Sequence, residues 1–146
     1  MDAPDSRDTS RRRRVPAVLV VEDDVACRDE ISTTLKEAGY IVFEAGDGRE
    51  ALELLLASKT PKPLVIVLDV RLPVMSGPEL LKVLRGYHRF SEIPVILTSA
   101  WPAYRFDASG EAGWLAKPFD AERLVALVTE RCRRPELFAP WRKAPV

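Results

Sequence analysis

The chain has 146 residues, 47% of them hydrophobic and 30% charged, which is enough for one domain around one core and too little for a second. Its 22 basic side chains cancel its 22 acidic ones, excluding an overall field that would draw it to nucleic acid or an anionic membrane. No apolar stretch is long enough to span a bilayer and the opening MDAPDSRDTSRRRR lacks the apolar centre of a secretory signal, so a cytoplasmic protein with no membrane insertion is expected.

The arm over 1–15 is polar and charged, and its arginine run, Arg11 to Arg14, is flanked by acids; it reads as a disordered, solvated arm rather than a nucleic-acid contact. AVLVV, Ala17 to Val21, is a first buried strand. A helix follows from Val25 to Ala38, with Cys27, Ile31, Leu35 and Ala38 at helical spacing and Gly39 placed to end it. YIVFEA is a second strand, and Asp47 is placed to cap a helix through GREALELLLAS, on which Leu52, Leu55 and Leu56 are expected to share a face. KTPKP breaks that helix. VIVLD then runs apolar without polar alternation, the habit of a strand covered on both faces. GPELLKVLRGYHRF is a third helix, IPVILTSA a fourth strand, GWLA a short fifth, and DAERLVALVTERC a last helix capped by Asp120. Strands alternating with helices predict an α/β fold with a parallel sheet and helices on both faces.

This order delivers reactive residues to one edge. Glu22, Asp23 and Asp24 end the first strand, Asp69 the third, Thr98 and Ser99 the fourth, and Lys117 the fifth. Carboxyl ends of parallel strands are where open α/β sheets build sites. Carboxylates gathered there repel unless something positive neutralises them, and hard oxygen ligands with open positions suit Mg²⁺. Lys117 offers a fixed cation and the Thr98 hydroxyl a donor for phosphate oxygens, which makes Asp69 an oxygen nucleophile and phosphate acceptor. Singly, each residue has a plainer reading: an isolated EDD is a solvated loop, a lone lysine a surface group, a strand threonine a matter of β propensity. Four coincidences at one sheet edge weigh against it. His88, the only histidine, lies in the polar GYHRF and reads as a surface residue, while Cys27 and Cys132 match no metal or redox spacing and read as small buried hydrophobes.

VLVVEDD, VIVLDVRLPVMSG, PVILTSA and WLAKPF, in this order, resemble the receiver domain of two-component response regulators, over roughly Pro16 to Cys132. The resemblance implies a doubly wound, flavodoxin-like five-stranded parallel sheet in the order 2-1-3-4-5, and a signalling switch that accepts a phosphoryl group on Asp69 from a sensor histidine kinase or phosphotransfer protein. Such a domain catalyses its own phosphorylation and dephosphorylation without being an enzyme in the ordinary sense. Position by position, it makes Asp23 a direct Mg²⁺ ligand, Glu22 a ligand through water, and the Arg71 carbonyl a backbone ligand. It makes Thr98 the switch hydroxyl, small Ser99 the residue that leaves the phosphate accessible, Lys117 the phosphate-reading lysine before a cis-Pro118, and Trp114 the aromatic switch. Asp24 falls one place beyond the acidic pair and is an auxiliary candidate or a helix cap. Trp114 departs from the family's usual Tyr or Phe. The span from Thr98 to Lys117 is shorter than is usual, so the family's fourth helix is expected to be short or irregular here.

The resulting organisation is an arm over 1–15, a receiver domain over 16–132, and a short tail over 133–146 with no output domain, in which Phe138 and Trp141 could dock on a partner or pack back. A stand-alone receiver acting on a downstream protein target is expected, with no direct DNA binding. The rival from another class is a phosphorylation-independent receiver-like scaffold. An aspartyl-phosphate hydrolase is disfavoured by Arg71, which stands where that enzyme family keeps a general acid.

Overall fold

A computed structural model describes residues 16–100 and 113–133. The arginine run, the expected fourth helix of the family, and the tail aromatics Phe138 and Trp141 lie outside these residues. Among the described residues nine elements follow one another: β1 (Ala17–Val21), α1 (Val25–Glu37), β2 (Ile41–Ala45), α2 (Gly48–Leu56), β3 (Val65–Asp69), α3 (Gly77–Gly86), β4 (Val95–Ser99), β5 (Gly113–Ala116) and α4 (Ala121–Arg133). The strands form one parallel sheet in the order β2-β1-β3-β4-β5, as the resemblance implied.

Every residue of β1, β3 and β4 is buried, which explains their unbroken apolar runs. Alternate side chains enter two cores. Leu19, Val21, Ile66, Leu68 and Leu97 pack with Leu55 of α2 and Leu80 and Leu84 of α3. Val18, Val20, Val65, Val67 and Ile96 pack with Ile31 and Leu35 of α1 and Leu124 and Val128 of α4. Both faces of the sheet are therefore covered.

Caps decide where the helices begin. Asp24 caps α1 by accepting from the Cys27 N–H at 2.9 Å, and Asp47 caps α2 by accepting from Glu50 at 2.8 Å. Ser76 and Glu79 cap α3 reciprocally. Asp120 precedes α4, and its carbonyl accepts from the Leu124 N–H. Two expectations about the helices are corrected. Leu56 does not share the buried face of α2: it is 47% exposed on the helix's last residue, and Ala51 with Leu55 makes that face. The third helix stops at Gly86 rather than continuing through GYHRF, because Tyr87 turns extended after a poor helix former. The turn that follows still buries Phe90, and His88 is exposed as expected. The two cysteines are free but only half-buried, less enclosed than expected.

One glycine is fixed by the site. A Cβ at Gly77 would overlap the Asp69 carbonyl oxygen and stand 2.9 Å from the Val70 Cα, so α3 begins against the backbone of the third strand's end. The Gly77 N–H donates to the Val70 carbonyl at 3.0 Å. Gly77→Ala is expected to lower stability by about 2 kcal/mol, since the clash is with backbone that cannot rotate away. Chemical denaturation of the variant beside wild type measures it, and a loss within error of zero would show that the helix start yields freely.

Candidate functional site

The register places the carboxyl ends side by side: Val21 pairs with Leu68, Asp69 with Thr98, and Ser99 with Ala116. Glu22 follows β1 and is 2% exposed, with its N–H donating to the Ala45 carbonyl of β2 at 3.0 Å. Its Oε2 accepts from the Asp24 N–H at 3.1 Å. Asp69, 5% exposed, accepts from the Arg71 N–H at 3.1 Å through Oδ1. Lys117 reaches across the sheet from the end of β5, its Nζ 2.5 Å from Glu22 Oε1 and 2.9 Å from Asp69 Oδ2. Its backbone is tied to the Ser99 carbonyl at 2.7 Å, and the Lys117–Pro118 peptide is cis.

Glu22, Asp23 and Asp69 bring carboxylate oxygens within 4.8 Å of one another. They line an open pocket of about 760 Å³ together with Asp24, Arg71 and Lys117. The sequence also left unnamed several of its walls, among them Leu72, Pro73 and Ser76 from the loop between β3 and α3 and Pro78 from the first turn of α3. Thr98 and Trp114 are not in that wall. Thr98 lies beside Asp69 in the sheet but is 1% exposed. Trp114, half-buried on β5, packs against the core that α2 and α3 share. Asp24 lines the pocket and caps α1, the second of the two roles considered for it.

Burial raises the Glu22 carboxyl above its ordinary 4.5, helped by the charge of Asp69; hydrogen bonds from Lys117 and the Asp24 N–H offset part of the rise. Burial pulls the opposite way on Lys117, yet its bonds and attraction to Glu22 and Asp69 win, and its ammonium is held above the ordinary 10.5. The site's lysine is thus a permanent cation. Burial, and then the Glu22 charge, push the Cys27 thiol up to about 11, with its Sγ 3.4 Å from Glu22 Oε1. A thiol so placed is a poor nucleophile at neutral pH.

Arg28 was not singled out in the sequence. Its Nη1 donates to the Glu22 carbonyl at 2.8 Å, and its Nε stands 3.4 Å from Glu44 Oε1 on β2. Its only sequence signal is its position one turn into the helix that follows the acidic triplet.

Comparison with known proteins finds relatives among response regulators. A DNA-binding dual master transcriptional regulator, RpaA of Synechocystis, is 35% identical over 125 residues, covering 82% of this chain and 50% of its own length. Response regulator MprA of Mycolicibacterium vanbaalenii is 36% identical over 121 residues, covering 80% of this chain and 50% of its own. The chain thus spans about half the length of these curated relatives. The solved structure of the chemotaxis response regulator CheY4 of Vibrio cholerae superposes with a TM-score of 0.72 at 34% identity, over 80% of this chain and 98% of that one. The expectation of no direct DNA contact finds no support in these relatives, the first being itself DNA-binding. Among the described residues no helix is long and apolar enough to cross a membrane. The response regulator receiver domain profile matches residues 18–129, which contain the whole acidic pocket and the lysine that bridges it, and the chain belongs to that family of two-component signalling domains.

Proposed function

We propose that this domain is a cytosolic phosphorylation switch in which Asp69 accepts a phosphoryl group from a phosphohistidine on a sensor histidine kinase or phosphotransfer protein. The observation that carries this reading is the meeting of a buried Asp69 with Lys117 at 2.9 Å inside a pocket open to solvent. An Asp69 oxygen attacks phosphorus, a P–O bond forms as the P–N bond breaks, and the leaving imidazole nitrogen takes up a proton. Hydrolysis reverses the mark: water attacks the acyl phosphate, inorganic phosphate leaves, and the carboxylate returns.

The donor set fits Mg²⁺. Three hard carboxylates converge within 4.8 Å, beside a pocket with room for water and a phosphoryl group. Asp23, Asp69 and the Arg71 carbonyl would hold the ion, and Glu22 would act through water. The ion would supply charge neutralisation at the phosphoryl oxygens. Lys117 supplies a second cation from a different strand, so phosphate on Asp69 is read by β5 as well as by β3.

Labelling by acetyl phosphate with Mg²⁺, read by mass analysis of the intact chain, tests the proposal. A phosphorylation-independent scaffold would keep its partner affinity unchanged by that treatment. The partner is expected to be a downstream protein. Arg71 stands where an aspartyl-phosphate hydrolase keeps its general acid, and it is exposed.

The switch would run through Thr98, paired with Asp69, and Trp114, which pairs with Leu97 on the neighbouring strand. Trp114 already packs against the core, so its indole is expected to be inward without phosphate. Acrylamide quenching of a Trp101→Phe, Trp141→Phe variant should then be weak and change little with beryllofluoride and Mg²⁺. Strong quenching before activation that vanishes afterwards would instead show an ordinary outward-to-inward rotation.

A further inference from the structure

The two residues of the acidic pair are held in different ways. Glu22 is fixed at every polar atom: N–H to Ala45, carbonyl to Arg28, Oε2 to the Asp24 N–H, and Oε1 to Lys117. Asp23 is exposed, and among the described residues its side chain takes part in no hydrogen bond or ion pair. Its direction is therefore set by its own backbone. The Glu22 carbonyl and the Asp23 nitrogen belong to one planar peptide, so whatever holds that carbonyl also sets the plane from which the Asp23 side chain departs.

Arg28 holds it. From α1 the guanidinium reaches back six residues, and its Nη1 donates to the Glu22 carbonyl at 2.8 Å. The Nε faces Glu44 Oε1 at 3.4 Å, an ionic contact without hydrogen-bond alignment, which ties the same group to β2. Gly46 leaves room for it, since a Cβ there would come within 3.3 Å of Nη1. A planar fork can meet a carbonyl and a carboxylate with different nitrogens at once, whereas an ammonium on a flexible stem is a single point charge.

We infer that Arg28 is a positioning residue for the metal site, one that aims Asp23 by clamping the Glu22–Asp23 peptide between α1 and β2. It touches neither the phosphoryl group nor the ion. The inference rests on the Mg²⁺-dependent phosphoacceptor reading and adds to it the residue that orders one of the ligands.

The test uses Mn²⁺ as the probe, with free ion counted by electron paramagnetic resonance on the full chain, and acetyl phosphate labelling as a function of Mg²⁺. Arg28→Met should weaken Mn²⁺ binding by about tenfold, the scale seen when groups supporting metal ligands are removed. Arg28→Lys should fall between Arg28→Met and wild type. Labelling by Arg28→Met at saturating Mg²⁺ should match wild type, with only the half-saturating concentration moved. A general loosening would lower the maximal labelling rate and could not be restored by metal; that result overturns the inference, as does Arg28→Met binding Mn²⁺ as tightly as wild type. If Arg28→Met does not fold, Arg28→Lys and Glu44→Gln decide, and unchanged Mn²⁺ affinity in both overturns it. A wild-type chain that binds no Mn²⁺ overturns the metal reading itself and the inference with it, a failure distinct from a wild type that binds and variants that bind equally.

Discussion

Asp69→Asn is expected to take up no phosphoryl group from acetyl phosphate and Mg²⁺ under conditions in which wild type gains one that is labile to base. Asp69 is buried, placed in the cluster and in contact with Lys117, and it is the residue that the receiver resemblance matches to the phosphoacceptor. Glu22 is also buried and bonded to Lys117, but the resemblance matches it to the acidic pair that serves the metal. Asp23 and Asp24 are exposed and lack the lysine. Amide replaces carboxylate at nearly the same size, so the variant loses the nucleophile while keeping the fold. Intact-mass analysis reads the result directly. Labelling of Asp69→Asn equal to wild type, or labelling of wild type that persists after Mg²⁺ is chelated, would remove the assignment.

How much of this was legible in the sequence depended on what each residue had to satisfy. β1, β3 and β4 are buried on both faces, and that requirement writes an unbroken apolar run. The edge strand β2 carries a mixed pattern because only part of it is covered, yet it was still readable between two turns. Asp47 announced itself as a cap because a short acid before a helix has few better uses. Leu56 misled because helical spacing says which residues share an angle and not where the helix leaves its neighbour; at the last residue of α2 the same side chain faces water.

Site residues divided along the same line. Chain order alone brings Glu22, Asp23, Asp69 and Lys117 to one edge, since each ends a parallel strand. Side-chain depth is a different matter. Thr98 pairs with Asp69 one residue before the end of its strand, yet it is buried beside the pocket rather than in its wall. Arg28 was illegible because its partners are a backbone carbonyl and a carboxylate on another strand, and only the pairing of Val20 with Glu44 brings that carboxylate near. Contacts of this kind have no sequence period to betray them.

Lys117→Ala is expected to fold but to lose about 3 kcal/mol of stability near neutral pH without metal, because removing one partner of a buried pair leaves the other's charge buried without its ion partner. Glu22 is that charge: it is 2% exposed and already held above its ordinary 4.5 by burial and by Asp69. Losing the Lys117 hydrogen bond, which pulls it down, must raise it further. The sign follows from proton counting. A carboxyl raised on folding binds more protons in the folded state than in the unfolded one, so its contribution is most favourable at or below pH 4.5 and is lost as pH rises through the folded value. The variant should therefore melt closest to wild type in mild acid and fall away from it toward neutrality, by on the order of 10 °C. Wild type carries the opposite safeguard, since Lys117 is itself held above 10.5, and the stability this gives persists until the solution is strongly alkaline. Mg²⁺ should recover more stability in Lys117→Ala than in wild type, because it brings positive charge to the carboxylates that the lysine has deserted. The recovery should not extend to signalling. Phosphate on Asp69 would then lack the one group that reads it from β5, so phosphorylation of the variant should leave the amide shifts of β5 and α4 nearly still. Thermal melts from pH 4.5 to 8 with and without Mg²⁺ test the first part, and two-dimensional amide spectra with beryllofluoride the second. A pH-independent difference in melting, or wild-type shifts in β5 on activation, would mean that Lys117 neither balances Glu22 nor carries the signal.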